Sequence, residues 1–186
     1  IWTSDNTDAH DRAEIQWGTS LAYPLSAMSC HVSDCPNFWT GRSTSLKTRG
    51  LIASVGAFGY ELDLCKLTDE EKAVVKKQID EYKRVSDLIL YGDLYRIADP
   101  FDKKLFCEAV VSKDKRHAYV VGMRLHPDPY KLNQTIKLRG LDDNLIYRVS
   151  ALNSSVTGKA LSAIGLPIPV WKEYEAWAWE IFAEER

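Results

Sequence analysis

The sequence predicts an α/β segment followed by an all-β segment, with the change near residue 91. Three observations predict it. Strand and helix patterns alternate through the first ninety residues, the rhythm of parallel packing. Beyond Tyr91, short β-rich runs separated by polar turns replace that rhythm. The chain also opens on a strand end, Ile1-Trp2, that runs into a polar turn carrying Asp5 and Asp8. Barrel enzymes place their chemistry at the end of such a strand.

Residues 8–22 read as a helix. Asp8 is a good N-cap and Asp11 suits the first turn. Ala9, Ala13, Trp17 and Leu21 form one apolar stripe, and Pro24 is the expected stop. Ala27–Val32 reads as a short buried strand, followed by turn chemistry from Ser33 to Asn37. A short helix is expected over 43–54. Alternating Phe58, Tyr60, Leu62 and Leu64 mark a strand over 57–64. Thr68-Asp69-Glu70-Glu71 is a capping box. Behind it, Val74, Val75, Ile79, Tyr82, Val85, Leu88 and Ile89 trace the apolar side of a long helix, its charges a solvated face.

In the second half, Leu94–Ile97 is a short strand. Leu105–Val111 and Ala118–Leu125 read as an antiparallel hairpin around Ser112–Arg116. His126–Pro129 is an expected loop. Further strands are expected at 135–138, 145–149 and 176–182, with Gly165–Pro169 a rigid extended connection. Short strands at this spacing predict a sandwich. Nothing between the halves reads as a flexible linker, so they are expected to pack directly.

The composition narrows the functional classes. With 45% hydrophobic residues, 27% charged residues and a net charge of −2, the chain has no basic field for nucleic acid. No apolar run reaches the roughly 18 residues of a membrane span. The four cysteines, Cys30, Cys35, Cys65 and Cys107, form no Cys-x-x-Cys pair, and the histidines lack zinc-ligand spacing. No metal or cofactor is expected. Scattered thiols fit a reducing, cytoplasmic setting, and the residues leave a Cys30–Cys35 disulfide open. The Ile1-Trp2 start has no Met and no basic leader, and predicts a fragment of a longer polypeptide.

Asp5 and Asp8 carry the main chemical interest. Asp8 is the expected helix cap, whereas Asp5 stands where a barrel places a working carboxylate. Trp2 and Trp17 are candidate apolar neighbours for a proton-donating acid. A glycosidase needs a second carboxylate, about 5–5.5 Å away in a retaining enzyme. Asp34, Glu61 and Asp63 are possible partners, and no motif singles one out. Cys30-His31 is no thiol–imidazole pair, since neighbours on a strand point to opposite faces. Ser4, Asp5 and His10 lack a nucleophile elbow, and Gly56–Gly59 is too sparse for a phosphate loop. Trp171, Trp177 and Trp179 form either a sugar-stacking platform or, as burial habits favour, core.

One resemblance is dense. Trp2-Thr3-Ser4-Asp5-Asn6-Thr7-Asp8-Ala9, Ile15-Gln16-x-Gly18, His31-Val32-Ser33, Pro36-Asn37, Phe58–Asp63 and Tyr91-Gly92-Asp93-Leu94-Tyr95-Arg96 resemble, in order, glycoside hydrolase family 36, the α-galactosidases. The likeness thins beyond residue 100, where Arg139-Gly140-Leu141 and Gly158-x-x-Leu161-x-x-x-Gly165-Leu166 still carry it. Ser29-Cys30 and His10 depart from the usual pattern.

The resemblance implies the last part of a (β/α)8 TIM barrel over residues 1–90, then an antiparallel C-terminal β-sandwich over 91–186. It implies retaining hydrolysis of terminal α-1,6-linked galactose from melibiose- and raffinose-type oligosaccharides, with Asp5 as general acid/base and the nucleophile upstream. An α-galactoside oligosaccharide is then the expected ligand, and a homo-oligomer of the full-length enzyme is compatible. Alone, the fragment is expected to be inactive. A raffinose-synthase-type galactosyl transferase and a non-catalytic carbohydrate-binding β-domain are the alternatives.

Overall fold

A computed structural model describes residues 1–128, 130, 134–152 and 154–185. In chain order the elements are α1 (Ala9–Thr19), β1 (Ser29–Ser33), α2 (Leu46–Ala53), β2 (Ala57–Glu61), α3 (Asp69–Tyr91), β3 (Asp93–Ala98), β4 (Leu105–Val111) and β5 (His117–Arg124). There follow β6 (Thr135–Ile136), β7 (Ile146–Val149), β8 (Ser155–Thr157), α4 (Gly158–Ala163), β9 (Leu166–Pro167) and β10 (Glu175–Ala183).

The first half alternates as predicted. β1 and β2 pair in parallel from Ser29↔Ala57 to Ser33↔Glu61, and Trp2 adds a parallel bridge to Ser29. Three strand ends therefore point the same way, each leading towards a helix. No closed barrel forms among the described residues.

Local chemistry sets the helix ends. The Asp8 carboxylate accepts from the amides of His10 and Asp11 at 2.8 and 3.3 Å. At the other end α1 stops at Thr19, earlier than expected. The Thr19 hydroxyl donates to Ile15 O and the Ser20 hydroxyl to Trp17 O, both at 2.7 Å, so terminal carbonyls are satisfied before Pro24 is reached. Leu21 consequently falls outside the helix and is 69% exposed, a correction to the predicted stripe. Ser45 caps α2. The capping box of α3 is complete, with Glu71 N donating to Thr68 Oγ1 at 3.2 Å and Thr68 N to Glu71 Oε2 at 2.9 Å. Val75, Val85, Leu88 and Ile89 are buried, whereas Val74 faces outward.

The second half holds a six-stranded antiparallel sheet in the order β3-β4-β5-β10-β7-β8, and a two-stranded pair β6-β9. The predicted β4–β5 hairpin is in register from Leu105↔Arg124 to Val111↔Ala118. Three short elements, β8, α4 and β9, were not legible in the sequence. The expected extended connection contributes β9, and the strand expected over 57–64 ends at Glu61, leaving Leu64 exposed in a 3-10 turn. The expected loop at His126 is described as far as Asp128; its Pro129 lies outside the described residues.

Both faces of the large sheet are covered. Phe106, Val110, Val121, Met123 and Ala176 pack with α1, α2, β1 and α3. Their sequence neighbours Cys107, Ala109, Val120 and Trp177, with Trp179, pack with Ile136, Leu161 and Leu166 on the other side. The two halves thus share a core, as the missing linker predicts. At their seam the Thr48 hydroxyl donates to Tyr174 O at 3.0 Å and accepts from Ala176 N at 3.2 Å. Gly122 is required by contact: a Cβ there would lie 2.3 Å from Trp177 Cζ2.

The four cysteines are free, so the Cys30–Cys35 bridge that the sequence left open is not formed. Burial pushes the Cys30 thiol up to about 12, the inert state of a core cysteine.

Candidate functional site

The site is the rim formed where the three parallel strands end. Past the first strand, Thr3 to Asp8 make a loop held by its own side chains. Ser4 Oγ accepts from Asn6 N at 3.1 Å, and Asn6 Oδ1 accepts from Asp8 N at 3.0 Å. Asn6 Nδ2 donates to Asp11 Oδ2 at 2.7 Å. From below, the buried Arg12 guanidinium donates to Thr3 Oγ1, and to Ser4 O at 3.2 Å. Burial lowers the pKa of Arg12, and the Glu61 charge works the other way.

Asp5 stands on this braced loop, exposed to solvent. Its Oδ1 accepts the indole N–H of Trp2 at 2.7 Å. The same indole lies against the His31 ring, centroids 4.7 Å apart, and His31 Nδ1 sits 3.5 Å from Glu61 Oε2. Asp5, Trp2, His31 and Glu61 therefore form a continuous line across three adjacent parallel segments. Burial, and then the Arg12 charge, hold His31 below the usual imidazole range, with Glu61 acting against them. The ring is thus neutral near pH 7.

Asp8 has the structural part predicted for it. Beyond capping α1, it accepts from Thr40 Oγ1 at 2.6 Å and from Arg42 Nη1 at 2.5 Å, and its side chain is 1% exposed. Arg42 also reaches Asp11 at 3.3 Å. Asp8, His10 and Asp11 place three potential ligand atoms within 4.8 Å of one another, but Arg42 already neutralises the two carboxylates.

The other sequence candidates separate cleanly. Asp63 caps a 3-10 turn through Cys65 N at 2.9 Å. Asp34 is exposed at the end of β1. Glu61 alone among the three connects to Asp5, through His31 and Trp2. Cys30 is buried against Val55 O while His31 turns to the rim, so they form no pair. Ser4 is engaged by Asn6 and His10 by Asp11, so there is no triad with Asp5. Trp17 packs on Phe106 inside the first core, away from the role of neighbour to the acid. Trp177 and Trp179 are 3% and 2% exposed, which makes them core and not a platform; Trp171 is exposed.

Sequence reasoning missed the clasp of Asn37, Thr40 and Arg42 on the acid loop. Asn37 is buried and donates to Thr7 Oγ1 at 3.4 Å. The signal available was turn chemistry at Pro36-Asn37, which says where the chain bends but not what it grips.

Asp5 thus stands on the carboxyl-end rim of parallel strands, held by an indole, the position where barrel enzymes place their chemistry. Comparison with known proteins gives the family. Residues 1–92 match the family model described as Melibiase, and residues 107–181 match the Glycosyl hydrolase family 36 C-terminal domain. The bifunctional alpha-galactosidase/sucrose kinase AgaSK of Mediterraneibacter gnavus is 43% identical over 95% of this chain and 19% of its own length. Alpha-galactosidase AgaA of Geobacillus stearothermophilus is 44% identical over 90% of this chain and 23% of its own length. The crystal structure of the GH36 alpha-galactosidase AgaB from that organism superposes with a TM-score of 0.94 at 40% identity, covering 98% of this chain and 25% of that one. A variant of AgaA solved in complex with raffinose superposes at 0.93, with 40% identity, 97% of this chain and 25% of that one. The chain belongs to glycosyl hydrolase family 36. It spans about a quarter or less of the length of these relatives.

Proposed function

We propose that this chain is the C-terminal part of a retaining α-galactosidase acting on terminal α-1,6-linked galactose, and that Asp5 is its general acid/base. In this reading residues 1–90 are the closing part of a (β/α)8 barrel and residues 91–186 the C-terminal β-sandwich. The nucleophilic carboxylate belongs to a preceding part of the barrel, so the chain alone does not turn over substrate. The enzyme is cytoplasmic, and a homo-oligomer is compatible with it.

The observation that carries the reading is the exposed Asp5 carboxyl on the strand-end rim of a family 36 chain, with one oxygen held by Trp2. Its other oxygen, Oδ2, has no hydrogen-bond partner among the described residues and is free to meet the glycosidic oxygen. As the bond from C1 to that oxygen breaks, Asp5 delivers its proton to the leaving sugar and galactose passes to the nucleophile. The Asp5 carboxylate then takes a proton from water, whose oxygen attacks C1 and frees galactose. The brace from Arg12, Ser4 and Asn6 fixes the loop, so little ordering is left for the reaction to supply.

The test is Asp5→Asn in the full-length protein. Hydrolysis of raffinose is expected to fall by about three orders of magnitude, and that of an activated aryl α-galactoside by far less, because a good leaving group needs no proton. Equal rates in variant and parent would remove Asp5 from the role.

A further inference from the structure

Phe38 and Trp39 are 74% and 63% exposed, with ring centroids 5.4 Å apart. Within this chain, which spans about a quarter or less of its relatives' length, the two rings form one apolar patch that no described residue covers, and such a patch marks a contact site. The loop that carries them is tightly held. Asn37 Oδ1 accepts from the amides of Trp39 and Thr40 at 2.9 and 3.1 Å, and Asn37 N and O close the turn onto Arg42 and Gly41. Gly41 has φ +69°, the left-handed region that glycine enters without strain.

This loop is also bolted to the acid segment. Asn37 grips Thr7, while Thr40 and Arg42 hold both oxygens of Asp8. The aromatic pair therefore follows β1 onto the strand-end rim that carries Asp5, and is joined through Thr7 and Asp8 to the segment two and three residues beyond it. A general acid sits beside the oxygen that leaves, so the surface around its loop meets the leaving saccharide and not the galactose that is cleaved off.

We infer that Phe38 and Trp39 form a stacking platform for the leaving saccharide of an oligosaccharide substrate, and so set the preference for its aglycone. The inference rests on the function proposed above. A pyranose ring presents an apolar C–H face that suits an aromatic surface, and its hydroxyls stay in water. The clasp to Asp8 holds the platform in place before the sugar arrives, which lowers the ordering cost of binding.

The test uses the full-length protein and the double variant Phe38→Ala/Trp39→Ala. Two substrates are compared, raffinose and α-galactosyl fluoride, whose leaving group has no ring to stack. The ratio of kcat/KM for raffinose to that for the fluoride is expected to fall about tenfold, mainly through KM, the scale of one lost aromatic contact. Trp39→Tyr should restore most of it. An unchanged ratio overturns the inference. So does an unchanged ratio with a smaller assembly in sedimentation, which would make the pair a subunit contact. Raffinose binding is titrated in parallel in an Asp5→Asn background. If the parent hydrolyses neither substrate, the proposed function fails, and the titration still decides the platform: about tenfold weaker binding in the double variant supports it, equal binding sinks it.

Discussion

Trp2 donates its indole N–H to Asp5 across a two-residue gap, at 2.7 Å. An aromatic beside a catalytic acid is commonly assigned an apolar role. Here the indole instead holds one oxygen of the proposed acid by a hydrogen bond. Trp2→Phe keeps the ring and removes the donor. In the full-length protein kcat/KM for raffinose should fall about three- to tenfold, the scale of one hydrogen bond. Identical kinetics in parent and variant would reduce the contact to packing.

Asp8 should behave differently. Asp8→Ala removes a helix cap and leaves the partly buried Arg42 without its nearest anion. The expected cost is about 2–4 kcal/mol in unfolding free energy. Asp8→Asn keeps the cap and should recover about 1 kcal/mol of that. Urea unfolding of the two variants checks the order.

Glu108 gives a pH dependence. It lies in mid-strand in β4, 1% exposed, and neither carboxylate oxygen has a hydrogen-bond partner among the described residues. Arg96 is its cross-strand partner in register, but that guanidinium is committed to Ser20. Burial pushes the Glu108 carboxyl up to about 8, with the Arg96 charge acting against it. The native state then holds a proton that the unfolded chain has released. Stability is greatest below the ordinary glutamate range and declines as pH rises towards 8, by up to about 1.4 kcal/mol per pH unit. Glu108→Gln should flatten that decline, measured as Tm from pH 5 to 8. The same slope in the variant would show that another group is responsible.

Gly122→Ala puts a methyl into the Trp177 ring. Trp177 is enclosed by the second core and cannot swing away cheaply. A loss of about 1–3 kcal/mol is expected in chemical unfolding. A neutral result would mean that the indole shifts at no cost.

The parts legible in the sequence were those with local causes. The Asp8 cap and the Thr68–Glu71 box act within one turn, so spacing alone announces them. Leu21 misled because its four-residue interval from Trp17 continues past the point where the Thr19 and Ser20 hydroxyls end the helix. The β8–α4–β9 run is too short to show a period. At the rim, the place of Asp5 at a strand end was readable, but its link to Trp2 depends on how the intervening turn folds. Asn37, Thr40 and Arg42 lie some thirty residues from the groups they hold. No local pattern connects them, and the rim depends on the register of the parallel pairing, which the alternation of strand and helix does not specify.

The large sheet divides its residues between two cores, and this bears on strand alignment. Along β10, Trp177 and Trp179 fill one core, while Ala176 and Ala178 pack on the helical side. A one-residue slip would drive two indoles against the helices and leave two methyls where the indoles belong. Such a slip is penalised twice, by crowding on one face and a void on the other. A sheet with one face in water resists misalignment on one side only; this one proofreads its own register from both.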